Sequence, residues 1–179
     1  GAVNDAPQPQ LQPTAESPAL AATRSSGRTA FELKMPVDES TAAAEAMNLS
    51  LAVKRPGGTP VYLVDLGCHP QTIAVLETRA EARGVEVRIG RAAEFTFDAS
   101  VIGCLVQYPA TDGGVDDYRE LCRKAHAGGA LVTVATDLLA LTLLAPPGEW
   151  GADMAVGNSQ RFGVPMGYGG PHAAFFATK

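Results

Sequence analysis

The chain has 179 residues, 46% of them hydrophobic, and a mean hydropathy of +0.03, enough to bury the core of one domain. Its net charge of −5 and pI of about 5.1 give no basic footprint for nucleic acid. The most apolar stretch, residues 130–144, is interrupted by Asp137 and is too short to cross a bilayer as a helix, so the composition points to a soluble protein without membrane partners.

In the first part of the chain Pro7, Pro9, Pro13 and Pro18 alternate with Gln, Ala and Ser, and no apolar period of strand or helix can be traced. We read residues 1–36 as a disordered or linker-like segment and residues 37–179 as the folded domain. Arg24 and Arg28 among serines and alanines have part of the character of a targeting peptide, opposed by Asp5, Glu16 and the lack of an initiating Met.

From Val37 onward strands and helices alternate. Residues 41–54 form an alanine-rich helix, with Asp38, Ser40 and Thr41 as candidate caps, ended by the Pro/Gly-rich run 55–60. Residues 61–64 read as a strand, 71–83 as a helix closed by Gly84, and 85–89 as a second strand. Residues 101–106 are a continuous apolar run, 115–127 a helix ended by Gly128 and Gly129, and 131–135 another buried strand. Residues 138–144 read as a short apolar helix, and 152–156 and 173–177 as the last strands. Apolar strands without polar alternation belong to a sheet covered on both faces. The fold class is therefore α/β, three-layered around a mostly parallel sheet.

Such sheets carry their chemistry at the carboxyl ends of the strands. Here those ends are residues 65–70, 107–113, 135–137 and 157–160, where the polar residues cluster. Cys68, Cys104 and Cys122 are widely spaced and fit a reducing compartment, and no residue set has metal-ligand spacing. Adjacent Cys68 and His69 point opposite ways on an extended chain, so His69 reads as a loop histidine bonded to backbone. His126 lies near a helix end, where the dipole favours it, and His172 reads as a loop or interface residue. Asp137 can offer its carboxylate to a ligand or cap the following helix, and capping is favoured. Arg161 can bind a carboxylate ligand or pair with Asp153 or Glu149, the structural pairing being favoured. Tyr108, Thr111 and Asp112 sit in a turn, where local geometry accounts for them. A phosphate at the amino end of the first helix would meet Asp38 and Glu39, which repel it.

The segments 38–47, 69–72, 107–113, 135–141 and 160–172, in this order, resemble the amino-terminal half of the P-protein of the glycine cleavage system. The resemblance runs from about Val37 to the end of the chain. It implies the large domain of a fold-type-I pyridoxal-phosphate enzyme, here incomplete, with an exposed sheet edge. It also implies the family reaction: pyridoxal-phosphate-dependent decarboxylation of glycine and transfer of the aminomethyl group to the lipoyl arm of the H-protein. On this reading the chain is the non-catalytic half, inactive alone, with no cofactor bound covalently. Its partners are the carboxyl-terminal catalytic half, in a dimer-type assembly, and the lipoylated H-protein.

The glycine-rich loop 157–172 then has Gln160 where the Schiff-base lysine stands, and an amide forms no imine. The same alignment puts the pyridine-facing position at or near Val134, which cannot hydrogen-bond. Tyr168, Gly169 and Gly170 are candidates to contact a partner's cofactor phosphate in trans. The compartment would be mitochondrial in a eukaryote and cytoplasmic in a bacterium. The alternative is a non-enzymatic α/β pseudoenzyme that binds a P-protein-like or H-protein-like partner. A Rossmann-type nucleotide binder is a weaker third reading, since no Gly-x-Gly-x-x-Gly follows the first strand.

Overall fold

The computed structural model describes residues 38–54, 56–169 and 172–178. The expectation for residues 1–36 lies outside them, as do Gly170 and Pro171. Among the described residues three α-helices and six strands run in the order α1 (Glu39–Lys54), β1 (Val61–Asp65), α2 (Pro70–Glu81), β2 (Glu86–Gly90), β3 (Val101–Tyr108), α3 (Arg119–Ala127), β4 (Leu131–Thr136), β5 (Met154–Asn158) and β6 (Ala174–Thr178). One sheet has the strand order β2-β1-β3-β4-β5-β6, parallel from β2 to β5, with β6 antiparallel to β5.

Two apolar layers sandwich the sheet, as the unbroken burial of β1 and β3 requires. On one side Val61, Leu63, Cys104 and Val106 pack with α3 residues Leu121, Cys122 and Ala125 and with Trp150. On the other side Tyr62, Val64, Ile102 and Leu105 pack with Leu76 of α2 and Met47 of α1. Ala42, Ala43, Ala44 and Ala46 are all buried. Such small side chains let α1 lie close against the sheet, where it meets β3, β4, β5 and β6. Its first turn thereby reaches the carboxyl ends of those strands.

Two helices are shorter than the sequence pattern predicts. Residues 115–118 precede α3 instead of opening it. Tyr118 is drawn into the core, its hydroxyl donating to Gln107 O at 3.3 Å and its ring 5.8 Å from Trp150, while the Asp117 carboxylate accepts the Arg119 N–H at 3.0 Å. The apolar run 138–144 holds only the 3₁₀ turn Ala140–Thr142. Asp137 folds back on the Leu139 N–H, and Pro146 and Pro147 leave too little chain to propagate a helix. No helix among the described residues is long and apolar enough to cross a membrane.

Gly157 marks the tightest point between β5 and its neighbours. A Cβ there would lie 2.1 Å from Thr136 O and 2.8 Å from the Phe175 ring. At Gly58 nothing lies within 4 Å. Gly157→Ala therefore destabilises the domain by about 1–3 kcal/mol or more, and Gly58→Ala changes stability by no more than about 0.5 kcal/mol. Equal urea midpoints for the two variants would contradict this packing.

Candidate functional site: a polar pocket at the carboxyl edge of the sheet

The polar strand ends converge. Glu39, His69, Gln107, Pro109, Ala110, Thr136, Asp137, Asn158 and Arg161 line one cavity of about 350 Å³. Each sequence cluster at a strand end contributes to it, and α1 adds Glu39. This is the place that a parallel α/β sheet reserves for a ligand, because the connections diverge beyond the strands.

Local structure fixes the rim. Asp38 caps α1: its carboxylate accepts the Thr41 N–H at 2.7 Å and the Thr41 hydroxyl at 3.0 Å. Asp65, at the end of β1 and buried, accepts the Gly67 N–H at 2.9 Å and the Ala92 N–H at 2.7 Å, which shapes the loop before α2. His69 stands at the N-cap of α2, ahead of Pro70. Its partner is a side chain, not the backbone predicted: Nδ1 lies 2.8 Å from Thr111 Oγ1. The Thr111 hydroxyl donates its proton to Gly67 O at 2.9 Å, so Nδ1 of His69 is the donor in its pair with Thr111. Cys68 turns the opposite way into the core, and burial pushes its thiol well above the usual range. That leaves no thiolate for nucleophilic chemistry.

Asp137 closes an Asx turn instead of capping the helix expected over residues 138–144, which does not form: its carboxylate accepts the Leu139 N–H at 3.0 Å, and the 3₁₀ turn Ala140–Thr142 has no side-chain cap. The same carboxylate holds the Arg161 guanidinium, which corrects the pairing of Arg161 with Asp153 or Glu149 expected from sequence. Asp153 instead meets His126 at 2.8 Å and accepts the Val132 N–H. Residue 160 opens a 3₁₀ turn, Gln160–Phe162, directly after β5, and its N–H bonds the Asn158 side chain at 3.1 Å. Gln160 thus lies beside the pocket without lining it. Val134 is fully buried in mid-strand. Tyr168 and Gly169 sit further along an exposed loop, Tyr168 with a φ of 52° and Gly169 with a φ of 88°. Asp112 closes its own turn onto the Gly114 N–H at 2.9 Å.

The inner wall is not evident from the sequence. Glu39 Oε1, Gln107 Oε1 and Thr136 Oγ1 are buried and have no hydrogen-bond partner among the described residues. Burial, and after it the Asp137 carboxylate, pushes the Glu39 carboxyl up to about 7, against the pull of its hydrogen bonds with Gln107 and Thr72. In the sequence Glu39 reads only as a charge at a helix end that repels phosphate. The available signal is its position before Ser40, whose hydroxyl lies 3.1 Å from that of Thr72 and turns this edge of α1 inward.

The raised carboxyl has a stability consequence. The folded state holds the Glu39 proton more tightly than the unfolded chain, so its contribution is complete below about pH 4.5 and lost as pH rises through about 7. Glu39→Gln flattens that part of the profile. The wild type loses on the order of 2–3 kcal/mol more than the variant across this window, read from urea unfolding of the protein at each pH. Parallel profiles would contradict the buried, acid-stabilised carboxyl.

Residues 34–179 match the family described as the glycine cleavage system P-protein. Over 143 residues the chain is 55% identical to the glycine dehydrogenase (decarboxylating), mitochondrial, of Dictyostelium discoideum and 59% identical to the glycine dehydrogenase (decarboxylating) of Synechocystis sp., covering 80% of this chain and 14% of each relative. The chain thus spans a small part of the length of these relatives. Among solved structures, a glycine decarboxylase (P-protein) in inhibitor-bound form superposes with a TM-score of 0.72 at 37% identity, over 81% of this chain and 34% of that one. The cystathione gamma lyase CalE6 of Micromonospora echinospora superposes with a TM-score of 0.63 at 20% identity, over 82% of this chain and 38% of that one, a likeness of fold alone. The fold is that of the fold-type-I pyridoxal-phosphate enzymes, and by sequence and structure together this chain is a partial member of the glycine cleavage system P-protein family.

Proposed function

We propose that the chain belongs to the non-catalytic half of a glycine-decarboxylating P-protein, and that it supports chemistry performed on a carboxyl-terminal half that carries pyridoxal phosphate. When bound there, the cofactor supplies the electron sink for loss of carbon dioxide from glycine. The lipoylated H-protein receives the aminomethyl group. The assembly is of dimer type, mitochondrial in a eukaryote and cytoplasmic in a bacterium.

The observation that carries this reading is the chemistry of the pocket's donor set. Covalent attachment of pyridoxal phosphate needs an amine within reach, and residue 160 offers an amide. Of the described lysines, Lys54 bonds Val101 O at 2.5 Å and Gly128 O at 2.8 Å, at the amino ends of β3 and β4. The pocket lies at their carboxyl ends. Lys124 is on α3, near Glu120. A phosphate would meet Glu39 and the capping carboxylate of Asp38, where a favourable site would present free N–H groups. The residues present therefore do not fit covalently held pyridoxal phosphate, and no catalytic step is assigned to them.

The exposed loop after Gln160 supports a role in trans. Tyr168 and Met166 project into solvent with Gly163, Gly167 and Gly169 at positive φ, a backbone that approaches a partner closely. Tyr168, Gly169 and Gly170 are proposed to contact the cofactor phosphate of the catalytic half.

Borohydride reduction of the complete, cofactor-loaded protein followed by peptide mapping tests the assignment. All pyridoxyl label should fall outside residues 1–179, and label on Lys34, Lys54, Lys124 or Lys179 would overturn it. In the same protein, Tyr168→Phe combined with Gly169→Ala should weaken cofactor retention by about tenfold, the loss of a hydrogen bond to a charged group. Unchanged cofactor affinity and turnover would remove the contact in trans.

A further inference from the structure

We propose that the pocket at the carboxyl edge of the sheet is a binding site for a small primary ammonium group, held by Glu39, Gln107 and Thr136. The inference goes beyond the proposed function and does not depend on the assignment of residue 160. It starts from an imbalance: three buried oxygens, Glu39 Oε1, Gln107 Oε1 and Thr136 Oγ1, belong to residues lining one cavity and have no hydrogen-bond partner among the described residues. Gln107 is 3% exposed and Thr136 is 0% exposed, so solvent at the surface does not supply the donors. Unmet buried acceptors are costly, and buried polar groups in native proteins are almost always paired.

The chemistry of the missing partner follows from the three acceptors. An ammonium carries three N–H donors and no acceptor, one for each orphaned oxygen, and its positive charge suits a carboxylate that is otherwise forced toward its neutral form. An anion would meet the Glu39 and Asp137 carboxylates there. A cavity of about 350 Å³ exceeds what a bare ion fills and admits a substituent on the nitrogen. Arg161 stands at the mouth with its side chain 62% exposed, held by Asp137, and its remaining N–H groups can donate to a carboxylate at the outer end of the ligand.

Proton and ammonium compete for Glu39. The charged and titratable groups about it are Asp38 on its own helix, Asp137 after β4, His69 at the start of α2 and Arg161 after β5. Asp38 and Asp137 favour any cation, so the ammonium displaces the proton and affinity rises with pH through the Glu39 titration near 7.

Hydrogen exchange read by mass spectrometry on the complete holoenzyme tests the site with methylammonium as probe and glycine as its carboxylate-bearing counterpart. Methylammonium at pH 8 should protect the peptides that contain Glu39, Gln107 and Thr136, with affinity falling about tenfold per pH unit below about 7. Thr136→Val, close in shape, should weaken this protection by about tenfold, and Glu39→Gln should abolish it. Glycine binding more tightly than methylammonium identifies an amino acid that also engages Arg161. Equal binding identifies the amine alone, and both results support the site. No protection of these peptides, protection that survives both substitutions, or equal protection by potassium at the same concentration would overturn it.

Discussion

The burial of one carboxyl group organises this domain's functional edge. Glu39 lies in the first turn of α1, and α1 crosses the sheet on a face of alanines that set little side-chain volume between helix and strands. Close approach brings the carboxyl under the ends of β3 and β4, beside Gln107 and Asp137. Removing a carboxylate from water is expensive, and a second carboxylate nearby raises the cost further. The result is a pocket whose inner wall is rich in acceptors and whose outer rim is tied by the Asp137 and Arg161 pair.

That arrangement explains how a fold shared with fold-type-I pyridoxal-phosphate enzymes can carry a site of different character. The sheet order, the position of the cavity and the loop after β5 are scaffold properties and follow from parallel strands with helices on both faces. The chemistry belongs to individual side chains. At this site an amide stands at position 160, the half-buried Glu39 presents a raised carboxyl, and Asp38 caps the helix amino end.

Much of this is legible in the sequence. The apolar runs within β1 and β3 specify a covered parallel sheet, and the polar clusters after the strands mark the pocket edge. The P-protein motifs point to the family. Capping by Asp38 follows from residue type and position. Less visible are features fixed by long-range packing. An alanine-rich helix such as α1 has little amphipathic pattern, so nothing local says that its Glu39 edge faces inward. Arg161 has several acidic candidates in the sequence, and only the return of the loop after β5 selects Asp137. The start of α3 depends on Tyr118 being held by Gln107, Tyr108 and Trp150, contacts that no helical periodicity reports.

The buried carboxyl is open to direct observation. A ¹³C NMR titration of the complete protein, with the Glu39 side-chain carboxyl carbon assigned by comparison with a Glu39→Gln variant, follows its protonation alone. A midpoint near 7 is the predicted result, and a midpoint near 4.5 would place Glu39 in water and contradict the account of this pocket.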